Sequence, residues 1–297
     1  MKKLSVLLFS LITCLSLTSC NIVMDIGVGG GNVSNGGGLP NSNDASFQSI
    51  SASRGIDILE EMNSANVLTG KKYAEVDYYH SEPKNTTTMD DVLTFVNNFD
   101  KDSKTGYFVY KFYYDMNKRI LTGLGSNYLS ESNVEENIEM FSAFVEGDKL
   151  YYFIRSMGKT YNLYEGSDAG DKFDSMVMEG RITNIAYSPF TFEYGLLLKS
   201  MIGQLAGFSS SDSSYQPYTD YTLQSSGNDL FAKLWYTDNN GDLSGSQIFM
   251  FKENCLCQMV MARDNGNAFY VDQLMVTYPE TLNLTKADIT GYSVTNG

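Results

Sequence analysis

The chain has 297 residues, with 35 acidic against 21 basic side chains and a net charge of −14, long enough for one large domain or two modest ones. So acidic a surface argues against nucleic acid, whose phosphates need clustered Lys and Arg, and against docking directly on anionic head groups. A single histidine and four cysteines leave few soft ligands for a metal, and no apolar run after residue 20 is long enough to span a bilayer.

The first element in chain order opens with Lys2 and Lys3, continues from Leu4 to Leu17 as an apolar run, and closes with the small pair Thr18 and Ser19. This is the tripartite layout of a secretory signal, and the run is too short and too diluted by Ser5, Ser10, Thr13 and Ser16 for a spanning helix. Leu17-Thr18-Ser19-Cys20 resembles the lipobox of bacterial lipoproteins. The resemblance implies cleavage between Ser19 and Cys20, a diacylglyceryl group on the Cys20 sulfur and a palmitate-type acyl group on its amine. Cys14 then leaves with the signal. Two or more acyl chains give stable attachment where one does not, so the implied protein is exported and anchored by lipid to a bacterial membrane. An ordinary signal peptide with a cysteine near its cleavage site is the alternative.

Residues 20–45 are dense in Gly, Asn and Ser. No strand precedes these glycines and no Lys-Ser/Thr pair follows, so they read as a flexible tether and not a phosphate loop. About 25 residues of such chain span roughly 25 to 30 Å. A single β-rich domain is expected over 46–297. It opens with an amphipathic helix near 46–67, capped at Asp44 or Ser46, in which Ala52, Ile56, Leu59 and Met62 recur at helical spacing.

From Lys71 the pattern changes to short aromatic and β-branched runs. The stretches beginning at Lys72, Thr105, Asp148, Lys159, Asp229, Ser246, Cys255 and Asn267 read as strands, broken by hairpin turns such as "EGDK", "DNNGD", "KENC" and "RDNGN". "MDDVLTFVNNF" (89–99) and "NVEENIEMFSAF" (133–144) fit either period and are taken as strands. A second helix is expected near 189–207, with Pro189 at its start and Gly207 at its end, followed by a polar loop over 209–220. No fixed-period repeat is present, which speaks against a propeller or solenoid.

Candidates for chemistry are few. His80 ends a strand with no G-x-S-x-G box in the chain, and reads as an exposed or edge-strand residue. "DNNGDLSGSQIF" (238–249) alternates Asp238, Asn240 and Asp242, but Phe249 stands where a calcium loop needs Glu, so it reads as a turn; "DKDSKTG" (100–106) fails in the same way. Spacing does not single out a carboxylate pair from 35 acidic residues. Cys255 and Cys257, two apart, lack further soft ligands and read as small apolar residues on one strand face. No catalytic residue, metal or cofactor is assigned, and no enzymatic activity is expected.

The unusual feature is a soft, aromatic composition: 21 Tyr, 17 Phe and 14 Met. On a regular strand Met259 and Met261 share a face with the two cysteines, and Leu197, Met201 and Leu205 lie on the second helix. Such side chains suit a surface that adapts to an apolar ligand, and equally suit an ordinary core.

The order of lipobox, tether, amphipathic helix, antiparallel meander and the closing "VTYPETLNLTKAD" is similar to envelope lipoproteins of the LolA/LppX type. That resemblance implies an α+β fold, a large curved antiparallel sheet forming a half-barrel around one or two helices, with a cavity for acyl chains. On it rests the expectation that Leu197, Met201, Leu205, Met259 and Met261 line a site for a lipid or other hydrophobic ligand. The alternative expectation is a surface interaction module, adhesin-like, that contacts protein or polysaccharide through exposed aromatics.

One test concerns the anchor. Replacing Cys20 by Ser is expected to abolish both metabolic palmitate labelling and partition into the detergent phase, while Cys14→Ser leaves both intact. Labelling that survives Cys20→Ser would end the lipobox reading.

Overall fold

Alternating aromatic and β-branched runs pair largely with their sequence neighbours through short turns, and the described residues form thirteen strands. The computed structural model describes residues 39, 46–64, 71–99, 106–130, 133–154, 158–178, 193–208, 218–264, 266 and 269–295. The expected signal, Ser19, Cys20 and all of the tether except Leu39 lie outside the described residues, as do Pro189, residues 209–217 and most of the 100–106 stretch.

In chain order the elements are β1 (Gln48–Ser49), α1 (Ala52–Ser64), β2 (Tyr73–Ser81), α2 (Met89–Asn97), β3 (Gly106–Asp115), β4 (Ile120–Ser130), β5 (Asn133–Glu146), β6 (Lys149–Ile154) and β7 (Thr160–Glu165). They continue as α3 (Ala169–Met178), α4 (Glu193–Leu205), β8 (Asp220–Ser226), β9 (Asp229–Thr237), β10 (Leu243–Lys252), β11 (Cys255–Asp264), β12 (Phe269–Thr277) and β13 (Ser293–Val294). The sheet runs β1-β8-β9-β10-β11-β12-β2-β3-β4-β5-β6-β7-β13 and does not close. Every pairing is antiparallel except β13 on β7. Two meanders, β2–β7 and β8–β12, are therefore joined side by side at β12 and β2. This is the expected α+β half-barrel, with four helices among the described residues.

The sheet has two covered faces. On the inner face Ile58, Leu59 and Met62 of α1, Phe173 and Val177 of α3, and Leu198 and Ile202 of α4 share a core with Phe249, Met259, Leu274, Val76, Phe112 and Leu121. On the outer face Val92, Leu93 and Val96 of α2 pack with Phe231, Ile248, Met250, Val260 and Val271. Leu39, within the expected tether, is buried in this outer cluster. Helices α1 and α4 pack chiefly on each other beside β8, whereas α3 lies over β5 and β6.

Curvature has a local cause. Three register shifts interrupt the β4–β5 ladder, between Gly123 and Leu124, Gly125 and Asn127, and Tyr128 and Ser130, and such irregularities bend a strand and increase its twist. At Gly123 a Cβ would sit 3.0 Å from the Phe112 ring and 3.3 Å from Phe141 Cβ, so only glycine lets the two rings close over the strand. Both outermost strands of the sheet are two-residue pieces near the ends of the described chain, which blunts the exposed edges.

The segment after β12 crosses to the far edge. Lys118 Nζ donates to the Leu284 carbonyl (3.1 Å), Lys286 pairs with Glu146 (2.8 Å), and the Tyr292 ring lies 5.3 Å from Phe153. It ends as β13, so the C-terminal segment ties β12 to β7.

The expected strand at 89–99 is a helix, α2. Thr88 Oγ1 accepts from the Asp91 amide (3.1 Å), and Asp91 Oδ2 accepts from the amides of Thr88 (2.9 Å) and Thr87 (3.0 Å), a reciprocal cap that decides the period. The expected strand at 133–144 lies within β5, while α3, β4 and β8 had no sequence assignment. Helix α1 starts later than Ser46: Ser51 Oγ accepts from the Arg54 amide (3.2 Å), and β1 precedes it. Helix α4 ends where Gly207 takes φ +73° and its amide reaches the Gln204 carbonyl (3.0 Å).

The α2 cap is testable. The Thr87 amide, then the Thr88 hydroxyl and amide, hold the Asp91 carboxyl below its ordinary range. A depressed folded value means the contribution is present above pH about 4 and lost as acid protonates the group. Thr88→Ala is expected to cost about 1 kcal/mol at neutral pH, read as a lower urea midpoint, and less in acid.

Candidate ligand-binding face

Strand register builds the site. Across the inner face Ala232, Phe249, Met259, Leu274, Tyr78 and Tyr110 are successive partners on β9, β10, β11, β12, β2 and β3. That row is apolar but for two phenol hydroxyls. Two residues along each strand the next row reads Leu234, Gln247, Met261, Asp272 and His80. An apolar band thus meets a band carrying an amide, a carboxylate and an imidazole on one face.

Of the side chains expected to line a ligand, four belong to the inner core cluster or its margin. Met259 is 4% exposed within the inner core, and Met201, Leu205 and Met261 are half-buried and packed against the same cluster. Leu197 is half-buried and outside that cluster; its neighbour Leu198 takes the inward position on α4.

The expected common face of Cys255, Cys257, Met259 and Met261 is broken. Met250 pairs with Gln258 and Phe251 with Leu256, so Cys257 is passed over as a bulge. Leu256 and Met259, three apart, consequently both enter the inner core. Cys257 is half-buried, its Sγ 3.6 Å from the Cys255 carbonyl, and both thiols are free. Burial pushes the Cys257 thiol up to about 11 and raises Cys255 as well.

His80 is neither exposed nor on an edge strand. It sits on β2, between β12 and β3, 27% exposed. Its Nδ1 lies 2.7 Å from Oδ1 of Asp272, itself 4% exposed, and its ring stacks on Tyr270 at 5.1 Å and 29°. In the same row Gln247 accepts from the Tyr218 hydroxyl (3.3 Å), and its Nε2 lies 3.9 Å from the Met259 sulfur. The Tyr218 ring is 6.1 Å from that of Tyr236, which lies across Gly245, where a Cβ would meet it at 2.5 Å. A search of the sequence misses the His80–Asp272 pair because its members stand 192 positions apart.

The 238–242 segment is the expected turn. Asp238 Oδ1 accepts from the amides of Asn240 (2.8 Å) and Asp242 (2.9 Å), and Gly241 takes φ +90°. Among the described residues no group of three or more His, Cys, Asp or Glu is arranged to hold a metal, and no helix is long and apolar enough to cross a membrane.

No family model matches the chain, and no curated protein is similar to it in sequence. Solved structures similar to it include the lipoprotein LppX of Mycobacterium tuberculosis, 11% identical over 77% of this chain and 98% of that one, with a TM-score of 0.28. A DUF1329 family protein of Desulfovibrio piger is 9% identical over 78% of this chain and 95% of its own, with a TM-score of 0.25.

The buried thiols give a direct check. At pH about 8 alkylation by iodoacetamide of Cys257 in the folded protein is expected to be at least about tenfold slower than in denaturant, because the thiolate is the nucleophile. Equal rates would show that the bulge is open to solvent.

Proposed function

We propose that this protein is a lipid-anchored lipoprotein of the bacterial cell envelope whose domain binds a hydrophobic ligand, a lipid or acyl chain, on the inner face of the half-barrel. The observation that carries this reading is the meeting of two bands on one face. Met259 and its apolar row suit a hydrocarbon chain, and the adjoining Gln247–Asp272–His80 row suits its polar end. Such a site, mostly apolar with a few convergent polar groups, is the usual form of a small-molecule pocket.

Entry follows from the margin of the cluster. Met201 and Leu205 on α4 and Met261 on β11 are half-buried at the margin of the inner core. Methionine repacks at low cost, so a chain enters by displacing these side chains and not by opening the sheet. The role proposed is binding and not turnover. The Cys20 lipid would hold the domain at a membrane surface.

An adhesin-like surface has less support. Among the described residues the large apolar side chains that are highly exposed are Phe208 (62%), just past α4, and Val294 (43%), on β13, far fewer than a broad apolar contact surface needs.

The decisive experiment uses the chain from Asn21 to Gly297, purified without detergent and examined by native mass spectrometry with lipid extraction. A co-purifying lipid, or saturable uptake of a fluorescent fatty acid, is expected. Met259→Asp, which places a charge in the apolar row, is expected to weaken uptake at least about tenfold. Absence of lipid together with absence of uptake rejects the proposal.

A further inference from the structure

We infer that the His80–Asp272 pair holds the polar end of the ligand through a hydroxyl group, so that the ligand is an uncharged, hydroxyl-bearing amphiphile of the monoacylglycerol kind. This rests on the ligand-binding reading above and adds the head-group class to it.

The argument begins with hydrogen-bond direction. Asp272 Oδ1 lies 2.7 Å from His80 Nδ1, and a carboxylate there only accepts, so the neutral ring carries its proton on Nδ1. Nε2 is then a lone-pair acceptor. The ring's contacts among the described residues are Asp272 and Tyr270, which leaves Nε2 without a protein partner on a side chain 27% exposed. The stack on Tyr270 and the bond to a nearly buried carboxylate fix the ring's orientation on both sides. An oriented acceptor beside an apolar row takes a ligand hydroxyl.

Charge selects against an acid. Asp272 lies in the same row under the imidazole, and a second anion there meets a like charge in a poorly solvated place. Gln247 and Tyr218, near the same row, are neutral. Arg263, a cation on this face one row further out, pairs in register with Tyr270 and already makes an interaction of its own. The chain's net charge of −14 adds a general bias against anions. Asp272 is thus both the group that positions His80 and the repulsive element that sets specificity.

The test compares 1-monoolein with oleate, each displacing a fluorescent acyl probe from the Asn21–Gly297 chain. The wild type is expected to prefer monoolein. His80→Phe keeps a ring against Tyr270 but removes the acceptor; monoolein binding should weaken about five- to tenfold, the usual worth of one hydrogen bond, while oleate changes less than about twofold. His80→Gln, which restores an acceptor, should recover most of the loss. Asp272→Asn removes the charge and keeps the acceptor for Nδ1, and should strengthen oleate relative to monoolein. Should His80→Phe fail to fold by its thermal transition, His80→Gln and Asp272→Asn decide the matter through the oleate-to-monoolein ratio. A ratio unmoved by these variants, in a wild type that does bind lipid, overturns the head-group inference alone. A wild type that binds neither lipid overturns the ligand-binding reading itself.

Discussion

The pairing of β12 with β2 is the contact on which the rest of the structure depends. Seven residue pairs, from Val271 with Ser81 to Thr277 with Glu75, join the last long strand to the first. Each meander is assembled by short turns at little entropic cost, but this seam closes a loop spanning most of the domain. Without it the inner face would be two separate surfaces. With it, Leu274 meets Tyr78 and Asp272 meets His80, so the apolar and polar rows become continuous.

Both ends of the described domain are tied to the sheet. The segment after β12 passes the β3–β4 and β5–β6 turns through Lys118, Lys286 and Glu146 before pairing at β7, and β1 covers β8. A thirteen-stranded open sheet exposes two edges, and each outermost strand is only two residues long. Arg119 at the β3–β4 turn adds a clamp on α3, bonding Asp174 at 3.1 and 2.8 Å with its guanidinium packed over Gly170. The helix over β5 and β6 is therefore held by a fork of charge-assisted bonds, whereas α4 packs on α1, where Lys199 pairs with Glu60, and beside β8.

Much of the architecture was legible because aromatic and β-branched runs alternate with turn residues at hairpin spacing. The strands beginning near Lys72, Thr105 and Asp229 stand where the pattern puts them, and α1 buries Ala52, Leu59 and Met62 at the helical interval. The apolar residues of stretch 89–99 fit both periods, and the Thr88 and Asp91 cap at its start decides for a helix. The Cys257 bulge was invisible for another reason: it is a property of the pairing with β10 and not of β11 alone. The setting of His80 is not legible locally, because its partner arrives from the other end of the chain.

By itself, then, the sequence determined the things that follow from short range: the composition-level exclusions, the lipobox resemblance at Cys20, the strand runs, the hairpin turns and the first helix. These rest on side chains a few positions apart, whose periodicity and turn chemistry act locally. Tertiary structure alone decided which strands became neighbours, that Met259 and Leu256 share a face across a bulge, and that the lone histidine is oriented by a nearly buried aspartate. Those outcomes depend on register between segments far apart in the chain, where a one-residue slip would send every side chain to the opposite face.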